Sequence, residues 1–329
     1  RVRMTTFRLA TLSTLGVLMM SGAAMAQQTI TLYTSQPQAQ IAEVIAAFNK
    51  DHPEITVEVF RSGTTEVMAK LAAEFTAGKS PADVMMIADA VAMTSLKNDG
   101  RLMALDIPMD GIPAALIDKD KTFVGTRMIT TGIVYNTNLV KEAPKSWADL
   151  TAADRAGSLI MPSPLYSGAA VIHVGTMVQQ PEFGWTWYET LADNGAVAGQ
   201  GNGTVIEAVA RGEKAYGIII EYMALNAKAK GSPVEFVFPA EGVSVIDQPI
   251  GILKDSDAVE AAKTFVSWQL GQTAQAQAVA QGYFPALEGV APPAGYPDPA
   301  SLKLLPADPG KMLAEDKATK EKFADIYGG

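Results

Sequence analysis

Residues 201–222, GNGTVIEAVARGEKAYGIIIEY, carry the pattern on which the reading of the fold turns. Gly201-Asn202-Gly203-Thr204 has the residue types of a helix start, and Val205 and Val209 fall on one helical face. Arg211-Gly212 ends that helix with a cation and a residue free of Cβ. Tyr216 to Ile220 then reads as a buried strand, with Glu221-Tyr222 where it ends. Open α/β sheets gather ligands at the carboxyl ends of strands and at helix N-termini, so this segment offers two places to touch a ligand.

The same alternation runs outward in both directions. Thr29 to Tyr33 is a strand, Thr34 to Pro37 turns from it, and Ile41, Val44, Ile45 and Phe48 repeat at helical spacing. Ile55 to Phe60 is a second strand, Arg61-Ser62-Gly63-Thr64-Thr65 opens a helix that Gly78 ends, and Pro81 to Ile87 is a third strand with Asp89 just past it. Strand following helix in this way implies βαβ units and a mainly parallel sheet. After a loose stretch between Asp106 and Lys121, Phe123 to Asn136 resumes as an extended apolar run, where the chain is expected to cross to a second lobe. Beyond it come a short helix near Pro144–Leu150, a strand at Ser158–Met161, a turn at Pro162–Gly168, and helices at Ala169–Gln179 and Trp185–Ala192. Val234 to Phe238 is a strand, and Val243 to Leu253 is a second extended stretch suited to the return crossing. Asp257 to Ala280 reads as one long helical region, and a charged helix lies near Lys317 to Ile326.

Arg1, Arg3 and Arg8 precede an apolar run, Leu9 to Met20, and then Ala24-Met25-Ala26, which predicts a secretory signal peptide over 1–26 and a mature chain from Gln27. The chain has no cysteine, which excludes disulfides, thiol catalysis, thiolate metal sites and a lipid-anchored cysteine. A periplasmic protein that is not a lipoprotein is expected. At 329 residues the chain suits two lobes of roughly 100–200 residues each. Without the three leader arginines, Lys+Arg falls from 26 to 23 against 35 Asp+Glu, a net charge of −12 that argues against nucleic acid as a partner.

The motif order resembles the periplasmic solute-binding proteins of ABC importers, in the branch that holds ferric-iron, thiamine, phosphonate and sugar-phosphate binders. TLYTSQ at 31–36, SGTTEVMAKLAAEFTAGKSPADV at 62–84, GIVYNTNLVKEAPKSWADL at 132–150, PSPLYSGAA at 162–170 and the segment 201–222 carry the likeness. The resemblance implies a type II two-lobe binding protein, an α/β fold in which two crossover strands form the hinge between mainly parallel sheets flanked by helices. Lobe 1 is expected over 27–127 plus 251–300, and lobe 2 over 128–250 plus 301–329. The implied role is capture of a small molecule by a monomer that delivers it to an inner-membrane permease, with no cofactor.

Three candidate turns stand at helix starts: Ser62-Gly63-Thr64, Ser167-Gly168-Ala169 and Gly203-Thr204. Exposed N–H groups and the positive dipole end favour an anion there, although Ser, Thr and Gly are also ordinary N-caps. The resemblance places the three turns where the lobes meet, and so points to a phosphate, phosphonate, sulfonate or carboxylate group. Ser35 after the first strand, Asp89, Glu221 and Tyr222 complete the expected ligand-binding set of Ser35, Ser62, Thr64, Asp89, Ser167, Gly168, Ala169, Thr204, Glu221 and Tyr222. Glu221 is read as a partner for an amine or for sugar hydroxyls, and Tyr222 as a wall, so 2-aminoethylphosphonate or a small phosphate ester leads.

The iron binders of this family carry adjacent tyrosines where this chain has Glu221-Tyr222, so ferric iron with Tyr222, Glu221 and an anion is the alternative, beside polyamine or thiamine. Tyr33, Tyr166 and Arg127 are lesser candidates, His52 and His173 read as structural, and Trp147, Trp185 and Trp187 as helix packing. A secreted hydrolase is the rival class. The chain lacks a G-x-S-x-G elbow, H-E-x-x-H and a P-loop, and a binding protein rather than an enzyme is expected.

Overall fold

The computed structural model describes residues 27–328, and the expected leader at 1–26 lies outside them. The first lobe opens with β1 (Gln28–Thr34), α1 (Gln38–Asp51), β2 (Ile55–Arg61), α2 (Thr64–Thr76), β3 (Val84–Met86) and α3 (Ala90–Asn98). The long β4 (Phe123–Asn136) then leads into α4 (Ala153–Ala156), β5 (Leu159–Pro162), α5 (Gly168–Met177) and α6 (Gly184–Asp193). Next come β6 (Val197–Gly199), α7 (Asn202–Ala210), β7 (Tyr216–Ile220), α8 (Glu221–Ala229) and β8 (Val234–Val237). The chain returns through β9 (Ser244–Ile252) to α9 (Val259–Leu270), α10 (Gln272–Ala280) and β10 (Phe284–Pro285), and ends in α11 (Pro309–Tyr327).

One sheet runs through both lobes in the order β2-β1-β3-β9-β4-β7-β5-β6, with β8 and β10 also pairing β4. Its two ends are parallel, β1 with β2 and β3, and β5 with β6 and β7. The middle is antiparallel, because β9 pairs both β3 and β4, and β4 pairs β7. The expected parallel βαβ units therefore form the lobes, and the two crossing strands lie side by side between them. Their ladder shifts register between Gly125 and Met128, a bulge that carries Thr126 and Arg127.

The apolar spacing read in the sequence buries as it should. Ile41, Val44 and Phe48 form the inner face of α1, and Phe48 meets Phe265 and Trp268 of α9 edge to face at 5.0 and 5.5 Å. In the second lobe Trp147 is fully buried, and its Nε1–H donates to the Gly242 carbonyl at 2.8 Å. Trp187, Tyr188 and Phe323 of α11 pack in the same core.

Three local departures matter. The region 257–280 is two helices, because Gly271 leaves the helical basin at φ −82°, ψ 165°. The C-terminal helix begins at Pro309, well before Lys317, where Asp308 accepts from the Gly310 and Lys311 N–H groups and proline fills the first turn. Glu221-Tyr222, read as a strand end, opens the helix α8 with no side-chain cap to announce it.

Candidate functional site

The amino ends of α2, α5 and α7 converge on one cavity of about 400 Å³ between the lobes, within the range of small-molecule sites. Each helix arrives by a local sequence device. Gly63 and Gly201 precede α2 and α7 in extended conformation and supply no side-chain cap. Ser167 caps α5, its Oγ accepting from the Ala170 N–H at 3.3 Å. First-turn N–H groups have no partner inside their own helix, so three sets of donors border the same space.

Glycine makes room for the Tyr166 ring at the edge of this cavity. A Cβ on Gly63 would stand 2.6 Å from the Tyr166 ring, and one on Gly201 would stand 3.0 Å from the same ring. Thr65 N–H donates to the Tyr166 carbonyl across the cleft at 3.3 Å. Arg61, at the end of β2, donates from Nε to the Gln36 carbonyl at 3.1 Å and from Nη1 to the Tyr166 hydroxyl at 3.3 Å. Among the described residues it is the only basic one lining the cavity, and Glu207 is the only acidic one. Glu207 is already engaged by Arg211 at 2.8 Å. Amides fill much of the rest, with Gln38, Gln200, Asn202 and Gln248 on the wall. The Thr64 hydroxyl is buried there without a hydrogen-bond partner, as is the Gln248 Oε1.

Of the residues expected from sequence, Ser35, Thr64, Ser167, Gly168, Ala169, Thr204 and Tyr222 line this cavity. Ser62, Asp89 and Glu221 do not. The Ser62 hydroxyl turns along α2 to the Glu66 carboxylate. Asp89 caps α3, accepting from the Ala92 N–H at 2.9 Å, and burial pushes its carboxyl up to about 7. Glu221 is fully buried, its Oε2 accepting from the Thr130 N–H at 2.6 Å, and desolvation pushes it up to about 8. The reason is its place as the first residue of α8, which turns the side chain toward β4 and leaves Tyr222 facing the cavity.

Arg127 is also buried away from the lining. Tyr33 is not on the lining and donates to Glu74 of α2 at 2.7 Å. His173 is buried against Trp147 with Nδ1 3.0 Å from Ser244 Oγ, and burial holds it neutral down to about 3. Arg61, Gln38, Gln200, Asn202 and Gln248 were not foreseen as site residues. For Arg61 a signal existed, since it ends a parallel strand, where such sheets bind ligands.

These features agree with known proteins. A family model described as bacterial extracellular solute-binding protein matches residues 43–303. An uncharacterized protein of Haemophilus influenzae is 30% identical over 145 residues, a match spanning 44% of this chain and 42% of that relative. The Fe(3+)-binding periplasmic protein of Serratia marcescens is 27% identical over 270 residues, 77% of each chain. Among solved structures, the periplasmic binding protein AfuA of Actinobacillus pleuropneumoniae, with fructose-6-phosphate bound, superposes with a TM-score of 0.83 at 22% identity, covering 92% of this chain and 99% of that one. With two α/β lobes closed on a polar cavity and the family's pattern running from residue 43 to 303, the chain belongs to the bacterial extracellular solute-binding proteins.

Proposed function

We propose that this protein captures a small organic molecule bearing a phosphate or phosphonate group and delivers it, unaltered and as a monomer, to an ABC importer permease. Lobe 1 comprises residues 27–127 and 251–300, and lobe 2 residues 128–250 and 301–329. The packing of α9 on α1 and of Phe323 with the Trp147 core supports that division. One observation carries the ligand class: three helix N-termini and the lone lining cation, Arg61, border a single cavity. Ser35, Thr64, Ser167, Gly168, Ala169 and Thr204 hold the anionic end, and Tyr222 forms a wall.

The rest of the ligand is uncharged and rich in hydroxyls. Glu221, the intended amine partner, is turned inward, and Glu207 is occupied by Arg211, whereas four amide side chains offer both donors and acceptors. A sugar phosphate or similar phosphate ester therefore fits better than 2-aminoethylphosphonate, and a cationic guest such as thiamine or a polyamine faces Arg61. The Actinobacillus protein with its fructose-6-phosphate is in keeping with this reading.

A thermal-shift screen over fructose 6-phosphate, glycerol 3-phosphate, 2-aminoethylphosphonate, inorganic phosphate, thiamine and ferric citrate tests it, since a ligand of the folded form raises the midpoint by mass action. A phosphate ester is expected to give the largest shift, and a shift by thiamine or none by any anion would overturn the reading. The Serratia relative favours a second reading, ferric iron on Tyr222. Among the described residues no group of three or more His, Cys, Asp or Glu gathers to hold a metal. A visible phenolate-to-iron absorption band on adding ferric citrate would decide for iron.

A further inference from the structure

Arg127 poses a problem of charge that the ligand cavity does not solve. It sits in the bulge of β4, fully inside the protein at 1% exposure, and among the described residues no carboxylate lies within ion-pair distance of it. Its Nη2–H donates to Gln269 Oε1 at 3.1 Å, its Nε–H reaches Thr126 Oγ1 only at 3.4 Å, and its carbon end lies 5.0 Å from the centre of the Tyr283 ring. Nη1 has no partner.

Gln269 shares the difficulty. It is wholly buried near the end of α9, its oxygen is committed to Arg127, and its Nε2 is likewise without a partner. Rotating the amide gives no relief, because Nε2 would then face the guanidinium N–H groups. Nearby Gln275 leaves no acceptor free: its Nε2 donates to the Thr126 and Gln269 carbonyls, and its Oε1 accepts from Ala286 and Leu287. The carboxyl end of α9 offsets at most about half a charge.

A buried cation with one idle nitrogen, beside a buried amide with another, lacks the negatively charged acceptor that such a pair calls for, since buried charges persist only when paired and hydrogen-bonded. We propose that the hinge holds a small monovalent anion, of halide size, on the unpartnered nitrogens of Arg127 and Gln269. A dianion such as phosphate or sulfate demands more donors than these two side chains present. The site is separate from the ligand cavity, which neither residue lines, but close to it in contact. Tyr283 lies between Arg127 and Tyr222, whose ring it meets at 4.4 Å, and Tyr222 is on the cavity wall. The anion thus fixes the bulge of one crossing strand to α9 and steadies the back of the cleft.

The test uses ligand-free protein in sodium bromide against sodium gluconate at equal ionic strength. Because the cleft that we read as an anion site can also take bromide, the hinge response is the part of the wild-type gain that is lost in variants of Arg127 and Gln269, neither of which lines the cleft. Wild type is expected to gain roughly 2 °C in thermal midpoint for each tenfold rise in bromide above its dissociation constant, with no gain in gluconate. Crystals grown in bromide are expected to show an anomalous peak beside Arg127 Nη1. Gln269→Glu supplies a carboxylate in place of the ion, and is expected to lose the hinge part of the bromide response while matching or exceeding the wild-type midpoint in gluconate. Arg127→Gln is expected to lose that part as well, and if it fails to fold, Gln269→Glu decides alone. Identical bromide and gluconate curves for wild type, a water without anomalous signal at the site, or a bromide response as large in Gln269→Glu as in wild type would each overturn the proposal.

Discussion

Replacing Gly168 by alanine separates closure from stability. The added methyl would stand 2.6 Å from Thr64 Oγ1, 2.8 Å from the Ala88 carbonyl oxygen and 2.9 Å from Asp89 Cβ. Thr64 can swing its hydroxyl aside, whereas the Ala88 carbonyl is backbone between β3 and α3 and cannot. In the proposed division all three neighbours belong to the lobe opposite α5, so the overlap is expected only when the lobes are shut. Forcing one methylene into a packed contact costs about 1–3 kcal/mol, which corresponds to roughly a 5- to 150-fold loss of affinity if the closed form alone bears it. With the lobes apart the same methyl sits on the first turn of α5, where alanine is a better helix former than glycine. Titration calorimetry with fructose 6-phosphate, beside unfolding of the ligand-free protein, reads the two effects. The expectation is weaker binding at an unchanged or slightly higher unfolding midpoint, with less compaction on ligand addition by X-ray scattering. Wild-type affinity and compaction in Gly168→Ala would refute the idea that this contact forms on capture.

Arg61→Gln is expected to weaken a phosphate ester by about 10-fold or more, and to flatten the salt dependence of binding measured by calorimetry. Thr64→Ala is expected to weaken the same ligand without altering stability, while Ser167→Ala also lowers the unfolding midpoint because it removes the α5 cap, a loss of about 1 kcal/mol. Glu221 stays protonated to about 8 in the fold but ionises near its ordinary value of 4.5 once unfolded, so stability is expected to fall as pH rises between those values. A midpoint series across pH 5–8 is expected to be flatter in Glu221→Gln, which keeps an acceptor for Thr130. Part of the slope remains, since Asp89 acts the same way up to about 7. On the acid side His173, held neutral down to about 3, contributes stability that is lost as pH falls below its ordinary 6.5. Asp308→Ala is expected to cost about 1 kcal/mol, a drop of about 1–2 °C in calorimetry, by uncapping α11.

What could be read from the chain alone was local and periodic. The helix starts at Gly63, Ser167 and Gly201 are written in residues that fit nowhere else so well, and the structure brings all three to one cavity. The long apolar runs marked β4 and β9, although not that they pair with each other, since pairing across more than a hundred residues leaves no periodic trace. Glu221 was misplaced because a helix that starts without a cap looks like the end of the strand before it, and a turn of one residue reverses which side chain faces the cleft. For Arg61 the sequence shows its place at a strand end, but not that it is the one cation, among the described residues, on a wall assembled from distant segments.

The pairing of β4 with β9 has one more consequence. Two strands laced edge to edge behave as a leaf spring rather than a slack tether: they bend and twist by small amounts spread along many peptides, and resist sliding. Opening is then a flexure with a limited arc that returns along the path it took, so a docked membrane partner would sense a difference in angle between two stiff bodies, with little wobble to blur it.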